Sequence, residues 1–337
     1  TFGTLGVTED RFYHGQGFAS LQDAARDLKH AWRALRRTPG FLVASVVTLA
    51  LAMGATTGMF NVVNTVMLEP LPYPNSDRLV FVRGTAPGSD LPARFGLGND
   101  FYLHYRDESK LLDGVFAFID GSSTLRVGAR VEPMVMTRPS NDMYATLGVQ
   151  PRLGRLPVVA DADDAVVISD RLWSTWFNRD PSIIGKWYFV SDSMKQVIGV
   201  MPPEFRFPDA ETMLWVSTPI GLEQVTAGSL GGHVIGRMKD GVTQEQLATE
   251  LTRISKAMPE RFGSAGYGPL FERFQAQVVP MLDEMVGRTT RTSLLVLLGA
   301  VSVVLLIACA NVANLFLVRG ESRRRDLTVR RAIGASR

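Results

Sequence analysis

Residues 292–318 read TSLLVLLGAVSVVLLIACANVANLFLV, a run of 27 residues without a charged side chain. Arg291 and Arg319 bound the run, and Leu, Val and Ala fill most of it. An α-helix of about 20 residues is about 30 Å long, which is the thickness of the hydrocarbon core of a bilayer. The run therefore predicts a transmembrane helix over residues 292–318.

A second uncharged run covers residues 41–68, and residues 41–60 alone would span about 30 Å as a helix. Two other interpretations of these runs are a pair of buried helices in a soluble protein and, for the run at residues 41–68, a signal peptide. Uncharged runs of this length are rare in soluble proteins, and this one is too long for a signal peptide and lacks a cleavage site. We therefore predict a transmembrane helix with an extracytoplasmic extension over residues 41–68.

Arginine and lysine residues beside the two runs indicate their orientation, because such residues are retained on the cytoplasmic side. The outer flanks of the two runs are much more basic than the inner flanks. Both chain ends are therefore expected in the cytoplasm, and residues 69–290 on the other side of the membrane. The outer basic residues are Arg26, Lys29, Arg33, Arg36 and Arg37 before the first run, and Arg319, Arg323, Arg324, Arg325, Arg330, Arg331 and Arg337 after the second.

The cytoplasmic segment 1–40 contains an amphipathic pattern. Apolar residues recur at helical spacing from Leu21 to Leu35, and the basic residues take other faces. An ordinary helix packed on a partner would show the same pattern. Because a predicted span follows directly, we favour a helix lying in the membrane interface.

The overall composition is that of a folded chain. Of its 337 residues 46% are apolar, which is enough for a sizeable core, and the net charge is only +3. We expect no nucleic-acid partner. The single cysteine, Cys309, excludes an intramolecular disulfide.

The segment between the two runs mixes strand and helix patterns. Residues 78–83 read as a strand, and residues 99–112 as a helix capped by Asp100. A helix begins at Thr243, where Gln246 completes a capping box. This interleaving predicts an α+β domain built from split βαβ units with an inserted mixed subdomain.

Residues that carry chemistry are sparse. There is no phosphate-binding loop, HExxH, CxxC or GxSxG motif, and the four histidines are scattered. Asp161, Asp163 and Asp164 are better explained as a solvated turn than as a calcium site. We predict no catalytic residue, no cofactor and no metal site.

Small residues recur every four positions in the first predicted span, at Ala50, Gly54 and Gly58. Such spacing lets a second helix approach closely, although small residues are common in spans in any case. We predict helix packing at this face.

Several motifs resemble those of MacB/FtsX-type ABC transporter permeases, and in particular the large duplicated orphan permeases of Acidobacteria. The resemblance covers nearly the whole chain from about Leu21 onward, and the motifs are specific when taken together. They are RDLKHAWRALRRTPGF at 26–41, NVVN at 61–64, PLPYP at 70–74, LGVQPRLGR at 147–155, VIGVMPP at 197–203, KDGVT at 239–243, ANVANL at 310–315 and RDLTVRRAIGA at 325–335.

The resemblance implies a MacB-like periplasmic core domain joined to an FtsX-like permease domain. Such a permease passes no substrate through its spans; it transmits the motion of a cytoplasmic ABC ATPase to the periplasmic domain for export or efflux. Segment 319–337 would then be the coupling segment that docks on the ATPase. Its expected coupling residues are Arg325, Asp326, Arg330, Arg331 and Gly334, where Asp326 replaces the glutamate common in the family.

The resemblance also implies contact with membrane lipid, a homodimer or pseudo-dimer and, as in some members, a periplasmic adaptor and an outer-membrane channel. Family members have four spans, so the chain is expected to be truncated before the third. From the residues alone, the basic segment could equally be a simple cytoplasmic anchor. The same topology would also fit a two-span sensor or receptor that binds a ligand outside the cytoplasm, whereas a membrane-bound enzyme is disfavoured by the lack of catalytic motifs.

Overall fold

The structure is a computed structural model that describes residues 39–332 except 162, 222–224, 226–229 and 263–267. The predicted interfacial helix before residue 39 and the predicted coupling residue Gly334 lie outside the described residues. The chain divides into two compact units. Residues 67–289 form one of them, which we call the core domain; the other, the helical unit, contains the two long apolar helices.

The described helices and strands are interspersed along the chain. In order they are α1 (Pro39–Val63), β1 (Leu79–Thr85), α2 (Asn99–Glu108), β2 (Leu112–Val127), β3 (Arg130–Pro139), α3 (Asp142–Leu147), β4 (Leu153–Gly154), β5 (Ala165–Ile168), α4 (Asp170–Phe177), β6 (Trp187–Val190), β7 (Ser193–Val200), β8 (Thr212–Val216), β9 (His233–Met238), α5 (Gln244–Lys256), α6 (Met258–Phe262), α7 (Gly268–Arg273), β10 (Gln275–Pro280), α8 (Met281–Val286) and α9 (Arg288–Ala332).

The two helices of the helical unit are long and apolar enough to cross a membrane. The apolar segments cover residues 42–68, with a mean hydropathy of 1.7, and residues 289–314, with a mean hydropathy of 2.8. The first helix begins at Pro39, since proline suits the first turn of a helix, and ends in a π-helical turn at Asn64–Leu68. The second continues without interruption for 45 residues to Ala332.

The core domain is built on a four-stranded platform in the order β10-β1-β9-β2. All neighbouring pairs in it are antiparallel, so β1 runs parallel to β2, and β9 runs parallel to β10. Helix α2 connects β1 to β2, and helix α5 connects β9 to β10. The platform therefore consists of two interleaved split βαβ units, which confirms the predicted α+β fold class.

Strand periodicity divides the platform side chains between two cores. Val80 and Val82 face α2, α5 and α7, where Phe101, Leu251 and Phe271 are buried. Leu79 and Phe81 face the opposite side, with Phe116, Phe207 and Trp215. Both faces of the platform are thus covered.

The inserted subdomain, between β2 and β9, contains a closed ring of strands. Pairing runs from β2 through β3, β8, β5, β7 and β6 and returns to β2, where Phe189 is opposite Arg126. Its interior contains Leu125, Met134, Val197 and Leu214 among the buried residues of the third core. We call this closed ring of strands the barrel. The long strand β2 belongs to both the platform and the barrel, so one continuous strand joins the two parts.

The predicted capping box of α5 is present, since Thr243 Oγ1 accepts from the Gln246 amide and the Gln246 side chain accepts from the Thr243 amide. The predicted helix over 99–112 was too long, and its cap was wrong. Its N-cap is Gly98, and Asp100 is buried in the first turn.

The same helix ends at Glu108 because the residues that follow it donate hydrogen bonds to a carboxylate on another helix and do not continue the helical pattern. Glu250, on α5, accepts hydrogen bonds from Ser109 Oγ at 2.6 Å and from the Lys110 amide at 3.1 Å. The chain then enters β2 at Leu112.

Arg237 on β9 fixes the turn before β1 to the end of α3. Its Nε donates to the Thr146 carbonyl at 2.8 Å, and its Nη1 donates to the carbonyls of Pro74 and Asn75 at 2.7 and 2.9 Å. The guanidinium is buried, so these carbonyls replace the water it would otherwise bind. Arg237 thereby holds three separate segments of the chain in one place.

Candidate functional site

A cluster of charged side chains joins α8 to the core-domain sheet. Glu284, on α8, accepts from Arg83 Nε on β1 at 2.9 Å and from Arg94 Nη2, in the loop before α2, also at 2.9 Å. The Glu284 side chain is 19% exposed and that of Arg83 15%. Both oxygens of one carboxylate are therefore bound by cations in a partly desolvated place, where charge-assisted hydrogen bonds are strong.

The cluster continues into the sheet through His233 on β9. Arg83 Nη1 lies 2.9 Å from His233 Nδ1. An arginine can only donate, so Nδ1 must accept and the proton of the neutral ring is on Nε2. The ring stacks on Phe118 with centroids 4.7 Å apart, and Phe81 meets it edge to face. Three strands are thus linked to the Glu284 carboxylate.

His233 is held in its neutral form by this environment. Burial first, and then the Arg83 cation, lower the pKa of His233 from 6.5 to about 4, against a smaller opposing effect of Glu284. Asp120 Oδ2 lies 3.6 Å from His233 Nε2. Burial in turn raises the pKa of Asp120 above its usual range.

The first long helix carries a regular line of covered side chains, which we call the α1 seam. Its members alternate steps of three and four residues, the heptad spacing of a helix packed lengthwise on another helix. The line passes through small and medium side chains, so another helix can approach closely. The seam consists of Leu42, Ser45, Leu49, Ala52, Thr56, Met59 and Val63, of which Ser45, Ala52, Met59 and Val63 are buried.

Helix α9 carries a matching line of covered residues, the α9 seam. It has the same alternation of three and four residues, and α1 and α9 belong to the same compact unit. Each seam therefore has the pattern that side-by-side packing of two helices would produce. The α9 seam consists of Leu294, Leu298, Val301, Leu305, Ala308 and Val312, of which Ala308 is buried.

The predicted helix-packing residues Ala50, Gly54 and Gly58 lie on the other side of α1. At 100° per residue Gly54 is about 200° around the helix from Ala52, and all three residues are exposed. A Cβ added at Gly54 or Gly58 would meet no atom within 4 Å. This face is open in the described part of the chain, and its predicted partner stays a prediction.

The predicted coupling residues Arg325, Asp326, Arg330 and Arg331 lie in the last turns of α9, which continues from the apolar segment without a break. Their role stays a prediction.

The sequence did not single out the Glu284 cluster. Arg83 and His233 are 150 residues apart, and Arg83 and Glu284 are 201 residues apart. No local motif connects them; only a contact prediction for strands β1 and β9 could have found the group. Across the described ranges of residues 39–332, no group of three or more His, Cys, Asp and Glu side chains could hold a metal ion.

The sequence of this chain is similar to the sequences of known proteins. Residues 42–254 match the model of the family described as MacB-like periplasmic core domain. A curated relative, the macrolide export ATP-binding/permease protein MacB of Shewanella sp. (strain W3-18-1), is 25% identical over 235 residues, which is 66% of this chain. The match covers 34% of that relative, so the chain spans about a third of its length.

Two solved structures are similar to part of this chain. The periplasmic region of MacB from Actinobacillus actinomycetemcomitans is 17% identical, with a TM-score of 0.45 over 61% of this chain and 90% of that one. The extracellular domain of the noncanonic ABC-type transporter YknZ from Gram-positive bacteria is 16% identical, with a TM-score of 0.39 over 59% of this chain and 99% of that one.

The neutral state of His233 makes core-domain stability depend on pH. Between pH 6.5 and about 4 the unfolded chain binds a proton at this residue and the folded chain does not, so stability falls as pH is lowered through that window. After allowance for a side chain that is 28% exposed, we expect His233 to account for about 2 kcal/mol of the loss. The measurement is the unfolding free energy of the wild type and of His233→Asn between pH 4 and 8.

The His233→Asn profile should be flatter than the wild-type profile below pH 6.5. Above pH 7 the two slopes should coincide, since the histidine is then neutral in both states; this range is the internal control. Parallel profiles over the whole range would show that His233 does not titrate as described.

Proposed function

The chain belongs to the family of proteins with a MacB-like periplasmic core domain, and from this we propose that it is a membrane-anchored permease subunit of an ABC-type transporter. The observation that carries the proposal is the position of the two long apolar helices in the chain, one before and one after the core domain of residues 67–289. Each is long enough for the hydrocarbon core of a bilayer. A core domain bracketed in this way is tethered to the membrane at both of its ends.

The chain's place in the cell follows from its charge distribution. Seven arginines follow the second apolar run, whereas its other flank carries Arg288 and Arg291 beside Asp283 and Glu284. The positive-inside rule then puts both ends of this chain in the cytoplasm and residues 69–290 in the periplasm. The membrane is the bacterial inner membrane.

The subunit transmits movement and does not itself hydrolyse ATP. In this proposal a partner ABC ATPase hydrolyses ATP, and residues 1–337, which contain no phosphate-binding loop, transmit the resulting motion. Helix α9 supports the transmitting role, because its 45 residues would extend about 68 Å, roughly twice the bilayer core. Its apolar part and its basic part form one rod, so a displacement of the basic end moves the apolar end. Such movement would serve export or efflux.

The subunit works as a dimer or pseudo-dimer in the lipid bilayer, with the Ala50, Gly54 and Gly58 face as a helix contact. The α1 seam is covered within the chain, while this opposite face is open. Small residues let helix backbones approach closely in a bilayer. A periplasmic adaptor and an outer-membrane channel would act further along the same export route.

Charge reversal in the basic segment tests ATPase coupling. A panel of purified ABC-type ATPases is screened for binding to the full chain in lipid nanodiscs. Arg330→Glu with Arg331→Glu should weaken binding of the selected ATPase at least tenfold, because the docking cations are lost. Arg323→Glu with Arg324→Glu is the matched control, since it changes net charge equally, and it should have little effect.

Unchanged ATPase binding in the Arg330→Glu, Arg331→Glu variant would mean that the segment is only a cytoplasmic anchor. Equal weakening by both double variants would mean that binding depends on the net charge of the segment and not on Arg330 and Arg331. A chain that bound no ATPase, but responded to a small molecule through its core domain, would instead support the two-span receptor.

Substitutions on the two faces of α1 separate the internal seam from the dimer contact. Gly54→Leu meets open space, so it should leave the melting temperature of the chain unchanged and weaken self-association in nanodiscs or detergent at least fivefold. Ala52→Leu overpacks a buried position, which typically costs about 1–3 kcal/mol, and should lower the melting temperature by several degrees. Self-association that is unaffected by Gly54→Leu would remove the proposed contact.

A further inference from the structure

The short helix α8 is attached to the core domain by a buried side chain and an ion-paired one. Met281, its first residue, is its one fully buried residue and packs in the core that also holds Phe81 and Ile235. Glu284, almost one turn later, makes the ion pairs to Arg83 and Arg94. The Glu284 carboxylate therefore connects the second half of α8 to the sheet and to the loop before α2.

A glycine separates this attachment from the long helix. Gly287 has φ 71° and ψ 148°, a conformation that residues with a Cβ avoid. A Cβ there would meet nothing within 4 Å, so the requirement is conformational and not one of space. Helix α9 begins at the next residue, Arg288. A segment of this kind can absorb a change in direction between two helices.

The partners of Glu284 spread the attachment over the middle of the platform. Arg83 lies on β1 and passes the contact to His233 on β9, and these two strands are the central pair in the order β10-β1-β9-β2. Arg94 comes from a different segment, the loop before α2. Force applied to Glu284 is thus shared by the sheet and by that loop.

The ion pairs of Glu284 are buried enough to hold α8 on the sheet and exposed enough to water to break. Arg83 and Glu284 are mostly covered, whereas the Arg94 side chain is 33% exposed and can exchange its partner for water. Ion pairs that only stabilise the fold could lie anywhere on the surface of the core domain. Their position, between a buried anchor and a glycine directly before the long helix, indicates a mechanical role.

We infer that Glu284 is a latch: its ion pairs with Arg83 and Arg94 hold α8 on β1, so that movement of α9 is passed to the core-domain sheet. This inference rests on the proposed function, because the latch matters only if α9 is moved. Glu284 is a positioning residue in this role. Force entering through α1 reaches the core domain by a different part of the chain and does not pass through the latch.

Single-molecule pulling on the full chain in nanodiscs tests the latch. One handle is attached at Asp240→Cys in the exposed turn after β9, and the other at either Ala332→Cys on α9 or Gly40→Cys on α1, all in a Cys309→Ser background. Under constant force through α9, Glu284→Gln should release α8 at least tenfold faster than the wild-type residue. Arg94→Met, which leaves the Arg83 pair intact, should give a smaller increase.

Pulling through α1 tests whether the effect of Glu284 is specific to force applied through α9. With the handle on α1, Glu284→Gln should change the first release rate less than twofold. Glu211→Gln, which breaks the exposed Arg171 pair, is the matched control and should change neither direction. Equal acceleration in both directions, or none through α9, would overturn the latch.

The experiments can contradict the permease proposal and the latch proposal independently of each other. If the latch responds as expected but no ATPase binds the chain, the permease proposal fails and the latch stands as a property of the fold. If an ATPase binds but the pulling rates do not change, only the latch is lost.

Discussion

Hydrocarbon offers no partner to a backbone amide or carbonyl, so a chain that enters a bilayer must satisfy these groups within its own helices. Helices α1 and α9 meet that condition with apolar segments at residues 42–68 and 289–314. The core domain between them is consequently attached at both ends. A domain that is tied to two helices can be moved by either of them.

The attachment of the core domain to α9 is polar, in contrast to the apolar cores around it. Glu284 meets Arg83 and Arg94 where three strands have already been brought together by apolar packing. Because the His233 ring is neutral, the two arginines are the only cations in the described cluster, and one carboxylate engages both. The apolar cores fix where these groups lie, and the ion pairs decide whether α8 stays there.

The sequence was sufficient for features whose signals are local. Uncharged runs predicted the long helices, and Thr243 with Gln246 predicted the start of α5. Interleaved strand and helix patterns predicted split βαβ units, which the platform contains. Features set by distant residues were missed: the barrel is closed by a two-residue contact of β6 with β2, and α2 is ended by Glu250, 141 positions from Ser109.

The candidate site was harder to predict for the same reason. The Glu284 cluster joins residues separated by up to 201 positions, and the α1 seam lies in a sequence that is apolar on all sides, so no polar contrast marks it. The resemblance to permeases indicated coupling residues at the C-terminal end of α9, but it did not indicate which groups they contact.

The central claim is that the core domain and the basic end of α9 lie on opposite sides of a membrane. Labelling of single cysteines with a membrane-impermeant maleimide in spheroplasts measures this directly, with Cys309→Ser as the background. Asp240→Cys should be labelled in intact spheroplasts, and Asp326→Cys only after permeabilisation. Labelling of Asp326→Cys from outside, or protection of Asp240→Cys, would contradict the account.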